Sequence, residues 1–341
     1  MKLICLLAAV ALTSMCSIAA SAGPPPGISV SLVPDRATVM VGEPVYATFR
    51  IRNAGPTAVS IHIEWLARNS LGRPESFQVS AQSTKGAAVP VPALRGSFGG
   101  RSWRVEIAPG ADHDLRLFLP NWTPFTEPGT YTVTAVTSME FGDPKTATRH
   151  DLRASATVKV TAPDSARMGK IITRDAAAMA SGDDEAARRM MHIHDARVIP
   201  HFLAELAAPN YSRKFRAIQV LGKWNTDDAV AGLERASRTS AAELDPEGFT
   251  RETLRVESAA QLRVAAAYAL AESPHPRSSQ LLLAMRSDRY ASVRLIVAQN
   301  AVKADPAGHR KLLRAFTKDP DPRVASEATR LLNQQGGPGA R

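Results

Sequence analysis

The chain has 341 residues, of which 44% are hydrophobic and 22% charged, with a formal net charge of +10. This length suggests about two domains, and the composition excludes collagen-like and wholly disordered classes. The positive charges are scattered among carboxylates, and no basic cluster is interleaved with aromatics. They argue for solubility and weak attraction to anionic surfaces, and against nucleic-acid binding.

The first residues read as a secretory signal peptide, residues 1–22. Met1-Lys2 is a short positive region, Leu3 to Leu12 an apolar run, and Ala20-Ser21-Ala22 an A-x-A site that places cleavage after Ala22. No later stretch reaches the roughly 18 consecutive apolar residues of a membrane helix. Both cysteines, Cys5 and Cys16, fall in this leader, and Met15 stands where a lipoprotein signal carries a small residue. The cleaved chain is therefore expected to have no disulfide and no thiolate chemistry. A periplasmic or secreted location follows.

From Ile28 to about Thr161 the pattern has period two. Val45, Ala47, Phe49 and Ile51 alternate with polar neighbours, as do Val59, Ile61 and Ile63, Leu115, Leu117 and Leu119, Tyr131, Val133 and Ala135, and Ala156, Val158 and Val160. Each run has one face for a core and one for water. Gly42-Glu43-Pro44, Asn53-Ala54-Gly55-Pro56, Pro109-Gly110 and Pro128-Gly129 punctuate them. Seven or eight short strands predict an antiparallel β-sandwich over residues 27–161. Trp65 and Trp103 lie on strand patterns and are expected in its core. Residues 84–101 are poorly patterned and are expected to form a long exposed connector, with a recognition loop as the sharper alternative. Trp122 and Phe125 sit in a proline-rich loop and are candidate partner contacts, although packing beneath the loop also explains them.

The segment Glu127-Pro-Gly-Thr-Tyr131-Thr-Val133, with Gly42-Glu43-Pro44-Val45 and Asn53, resembles a bacterial immunoglobulin-like domain. The resemblance implies that Tyr131 closes a corner by hydrogen-bonding backbone. The Cys-Trp-Cys signature of antibody domains is absent.

Ala162-Pro163-Asp164 marks a change of period. Helices are predicted over Ala166–Ala180, from Asp183-Asp184 onward, and over Arg197–Ala207, Ser212–Trp224, Asp227–Arg238, Ser258–Glu272, Arg277–Arg286, Ala291–Lys303, Ala307–Thr317 and Arg323–Asn333. Residues 239–257 interrupt the pattern, and the Gly/Pro-rich tail 334–341 is expected to be disordered. Phe215, Leu262, Val293 and Val324 share a register, the last three spaced 31 residues apart. A period of this size predicts stacked helix pairs that share one core. Asp288-Arg-Tyr-Ala-Ser-Val293-Arg294 resembles the HEAT repeat, whose second helix often begins Asp-x-x-Val-Arg. The resemblance covers about residues 166–333 and implies a HEAT-like α-solenoid. It is closest in the last three units, although Arg323 precedes Val324 where the pattern has arginine after valine.

Catalytic constellations are not legible. His192, His194 and Asp195, with His201 nearby, suggest a metal, but residues two apart on a helix face opposite ways, and a solvated helix end explains them better. HEAT-like metalloenzymes use His-Glu dipeptides, and none of the eight histidines precedes a glutamate. No nucleophile elbow, Walker loop or dinucleotide fingerprint occurs. Asp183-Asp184-Glu185 reads as helix capping, and Asn121-Trp-Thr123 as a chance glycosylation sequon.

The expectation is a non-catalytic interaction or scaffold protein with no cofactor and no metal, binding a protein partner through the solenoid surface beside the insertion, with Phe249, Arg251 and Arg255 as candidate contacts. Two alternatives stand beside it. One is an inhibitor or regulator of an envelope enzyme acting through residues 84–101. The other is a polyanion or cell-wall binder using Arg213, Lys214, Arg216, Arg263 and Arg294, although these arginines equally suit a supporting role between repeats.

Overall fold

A computed structural model describes residues 23–65, 73–92 and 101–335. The signal-peptide expectation lies outside the described residues, as do residues 336–341 of the expected tail 334–341, residues 93–100 of the expected loop 84–101 and the side chain of Trp65; residues 334 and 335 close a helix rather than belonging to a disordered tail. The chain divides into two compact units, Met1–Pro163 and Asp164–Arg341. The boundary falls at the change of period.

The first unit is built from nine strands among the described residues: β1 (Ile28–Pro34), β2 (Thr38–Met40), β3 (Tyr46–Asn53), β4 (Val59–Trp65), β5 (Phe77–Ser83), β6 (Arg101–Ile107), β7 (Asp112–Phe118), β8 (Gly129–Phe141) and β9 (Thr148–Thr161). They form a three-stranded sheet, β1-β3-β7, and a six-stranded sheet, β2-β9-β8-β4-β6, with β5 also paired to β8. Inward residues of both sheets, among them Phe49, Ile51, Ile61, Leu117, Val133 and Val158, share one core. The period-two runs fall on strands as expected. The purely antiparallel expectation needs one correction, because β2 pairs with β9 in parallel.

Two side chains hold the sandwich at its turns. Asn53 is fully buried; its amide donates to the carbonyls of Thr57 at 2.8 Å and Ile107 at 2.9 Å, and its side-chain oxygen accepts from the Gly55 backbone. The Tyr131 hydroxyl donates to the Glu127 carbonyl at 2.9 Å, which is the corner contact its position implied. Trp103 departs from expectation. It faces inward opposite Ile63, but β6 ends the path of its sheet, and the indole is left 37% exposed.

The second unit contains α1 (Ser165–Ala180), α2 (Asp184–Met190), α3 (Ile199–Ala207), α4 (Tyr211–Leu221), α5 (Asp227–Ala236), α6 (Glu252–Glu272), α7 (Arg277–Ala284), α8 (Ala291–Gln299), α9 (Ala301–Ala304), α10 (His309–Phe316) and α11 (Pro322–Gln335). α4 packs on α6, α6 on α8 and α8 on α11, while α3, α5, α7, α9 and α10 contact one another in turn. Small residues allow close approach. A Cβ at Gly222 would lie 2.9 Å from the Ala269 Cβ, so α4 and α6 are set by that glycine. Helix starts are capped by side-chain oxygens of Asp164, Asp183, Asn210 and Thr226. Asp183 thus has the capping role expected of it.

The interruption at residues 239–257 is shorter than the sequence suggests, because α6 begins six residues before Ser258 and runs for 21 residues. The remainder folds back on α3 and α4. Leu244 is buried, the Asp245 amide donates to the Pro209 carbonyl, and Lys214, itself buried, donates to the Leu206 carbonyl with Glu243 beyond it at 4.0 Å.

Candidate interaction surface

The basic residues of the helical unit are mostly committed to its own structure. Arg263 binds Asp288 through both Nε (2.8 Å) and Nη2 (3.2 Å), and donates to the Thr239 carbonyl. Arg294 repeats this 31 residues later, binding Asp319 at 2.7 Å through Nε and Nη2 and donating to the Asp288 carbonyl. Arg213 and Arg216 engage the buried Glu205, and Arg216 also reaches Asp184. Bidentate pairing of this kind fixes geometry as well as charge. All five residues weighed as polyanion contacts therefore carry intramolecular partners, in line with the supporting role expected for the arginines.

The carboxylates respond accordingly. Hydrogen bonding from Arg294 holds the Asp319 carboxyl below the usual range. Burial, reinforced by the positive charges of Lys223, His194 and Arg188, pushes the His192 imidazole down to about 3. Asp195 is taken up by Arg197 and by capping the turn that follows it. Among the described residues no group of three or more His, Cys, Asp or Glu side chains is placed to hold a metal ion.

The start of α6 has a different character. Its first turns expose Leu254 (42%) and Val256 (37%), and Tyr268 farther along the same helix is 51% exposed. Phe249 is half-buried just before the helix, and Arg251 is exposed at its N-cap. Arg255 pairs with Glu252 at 2.6 Å, and its buried Nε atom has no hydrogen-bond partner. The structure therefore brings Phe249, Arg251 and Arg255 into one short segment, alongside two exposed aliphatics that sequence reasoning missed. The available signal was Glu-Thr-Leu-Arg-Val-Glu, a run dominated by good helix formers with no glycine or proline.

Trp122 and Phe125 do not join this surface. Both are buried in the sandwich core, Trp122 at 2% exposure, and Phe125 packs on Tyr131 with ring centroids 5.0 Å apart. Neither is an exposed anchor, because the loop folds inward and covers its aromatics. The same burial takes Asn121 and Thr123 out of reach of glycosylation in the folded chain. Trp122 does line a groove of about 440 Å³ with Arg73, Phe77, Val79 and Val91. Residues 84–92 are better ordered than the poor patterning suggested: they turn at Gly86 and return beside β5, with the Val89 amide bonded to the Ala81 carbonyl.

Neither a protein-family model nor a curated protein matches the chain. Solved structures similar to it include the CARDB domain of the PF1109 protein from Pyrococcus furiosus, at 16% identity over 40% of this chain and 90% of that one, with a TM-score of 0.20. The sporulation control protein Spo0M from Bacillus subtilis matches at 17% identity over 46% of this chain and 55% of that one, with a TM-score of 0.22. BslA, a bacterial hydrophobin, matches at 15% identity over 41% of this chain and 100% of that one, with a TM-score of 0.20. At these scores none of them bears on activity. Among the described residues no helix is long and apolar enough to cross a membrane.

Proposed function

We propose that the chain is a non-catalytic interaction protein of the periplasm or secreted milieu, an immunoglobulin-like sandwich joined to a HEAT-like solenoid that binds a protein partner around the start of α6. The solenoid reading is supported by the Arg263–Asp288 and Arg294–Asp319 pairs, which repeat with the 31-residue offset of the sequence. The observation that carries the binding reading is Leu254, exposed in the first turn of α6 with Arg251 three residues before it and Phe249 just ahead of the helix; Val256, two residues on, is exposed on another face of the helix. Phe249 and the two arginines are of the residue types enriched at protein interfaces. A second reading, regulation of an envelope enzyme through the sandwich, is favoured by the groove that Val91 and Trp122 share with Arg73.

One experiment separates the two. The chain from Gly23 onward is used to capture crosslinked partners from the envelope, beside L254E/V256E and R73A/V91E variants. Capture lost only with the α6 pair is the expected result. Capture lost only with the sandwich pair would transfer the function to the groove.

A further inference from the structure

The paired arginines of the helical unit make the unpaired cations conspicuous, and four of these lie together. Arg310, Lys311 and Arg314 are exposed on α10, and Lys318 is exposed two residues beyond its end. At about 100° per residue they fall within an arc of roughly 100°. Leu313 and Phe316 are buried on the opposite side, which fixes the helix with its cations outward. None of the four side chains has an ion pair or hydrogen bond among the described residues. Over residues 302–318 there are five Lys or Arg against one acid, Asp305, whose carboxylate accepts from the Gly308 amide at 2.9 Å. The next acids are also engaged, Asp319 by Arg294 and Asp321 by Arg323.

We propose that the outer face of α10 is a peripheral contact site for an anionic lipid surface. The face has no apolar residue larger than Ala315 between its cations, so it lacks the aromatic or aliphatic anchor that a protein interface requires. It also lacks a wedge for insertion, so contact is at headgroup level. The stripe rises only about 12 Å over eight residues, and its neighbours do not lengthen it. Lys303 is turned onto the carbonyls of Ala271 and Ser273, and Arg330 is paired with Glu327. A linear polyanion gains from a long track, whereas a leaflet supplies charge all around a short patch.

Each Lys or Arg at such a surface changes binding about fivefold. The test is sedimentation of the chain from Gly23 onward with phosphatidylcholine vesicles, with and without phosphatidylglycerol. Binding is expected only to the anionic vesicles and should fall steeply as added salt shortens the screening length. K311Q/R314Q should bind about 25-fold more weakly, while K145Q/K159Q, which removes the same charge from exposed sites on the sandwich, should match the parent. Equal loss in both double variants would reduce the effect to net charge and overturn the proposal. Equal binding to neutral vesicles, or retention on soluble polyphosphate without vesicle binding, would overturn it too.

Discussion

Arg263 shows how much of the helical unit rests on individual charges. Its guanidinium is nearly buried, as is the Asp288 carboxylate that receives it. Each charge has left water, so either would be strongly unfavourable alone. Removing only the arginine leaves the Asp288 charge with the Tyr290 amide alone and also frees the Thr239 carbonyl. R263A is therefore expected to destabilise the helical unit by about 3 kcal/mol in chemical denaturation, with most of that coupled to Asp288 in a double-mutant cycle. An R263A cost no greater than that of R314A, an exposed and unpaired site, would remove the pair from the account of stability. The sequence revealed this arrangement because Arg263 and Arg294 recur at fixed spacing. It did not reveal the fate of Trp122, since a proline-rich loop folded inward and one projecting outward have the same composition.

At the scale of elements, the contact of α4 with α6 depends on the absence of a side chain at Gly222. A Cβ there would meet both Cβ and Cα of Ala269, and backbone does not yield as a flexible side-chain end does. G222A should force the two helices apart and cost about 1–3 kcal/mol, read as a lower denaturant midpoint. Unchanged stability would mean that the helices slide without penalty. The period-two and helical runs were legible because burial imposes their spacing on the sequence. Where burial is partial the spacing fades. The first turns of α6 carry Leu254 and Val256 toward solvent, so residues 252–257 showed no apolar stripe and read as part of an interruption. β8 and β9, 13 and 14 residues long, were read short for another reason: their far halves keep an alternating burial, at Thr137, Met139 and Phe141, but the buried position at Thr137 is polar and breaks the apolar run. The candidate surface was thus legible in location but not in its apolar anchors, because exposed aliphatics follow no period.

At the scale of the molecule, two units with separate cores should unfold as two transitions, and pH should identify the helical one. His192 takes up a proton only near 3 in the folded chain, whereas an unfolded histidine does so at about 6.5. Below about 6.5 the unfolded chain therefore binds more protons, and stability is lost progressively as pH falls toward 3. Asp319 acts in a lower window. Its carboxyl is depressed by Arg294, so its contribution is present above the ordinary carboxylate range near 4 and is lost as pH falls through the folded value. Between about pH 7 and about pH 5 the His192 effect operates while Asp319 stays ionised. Calorimetry over that interval should show the helical transition moving to lower temperature, and H192Q should flatten that movement while leaving the sandwich transition unaffected. If H192Q and the parent fall in parallel, the acid sensitivity of the helical unit arises elsewhere than at the half-buried imidazole beside Lys223.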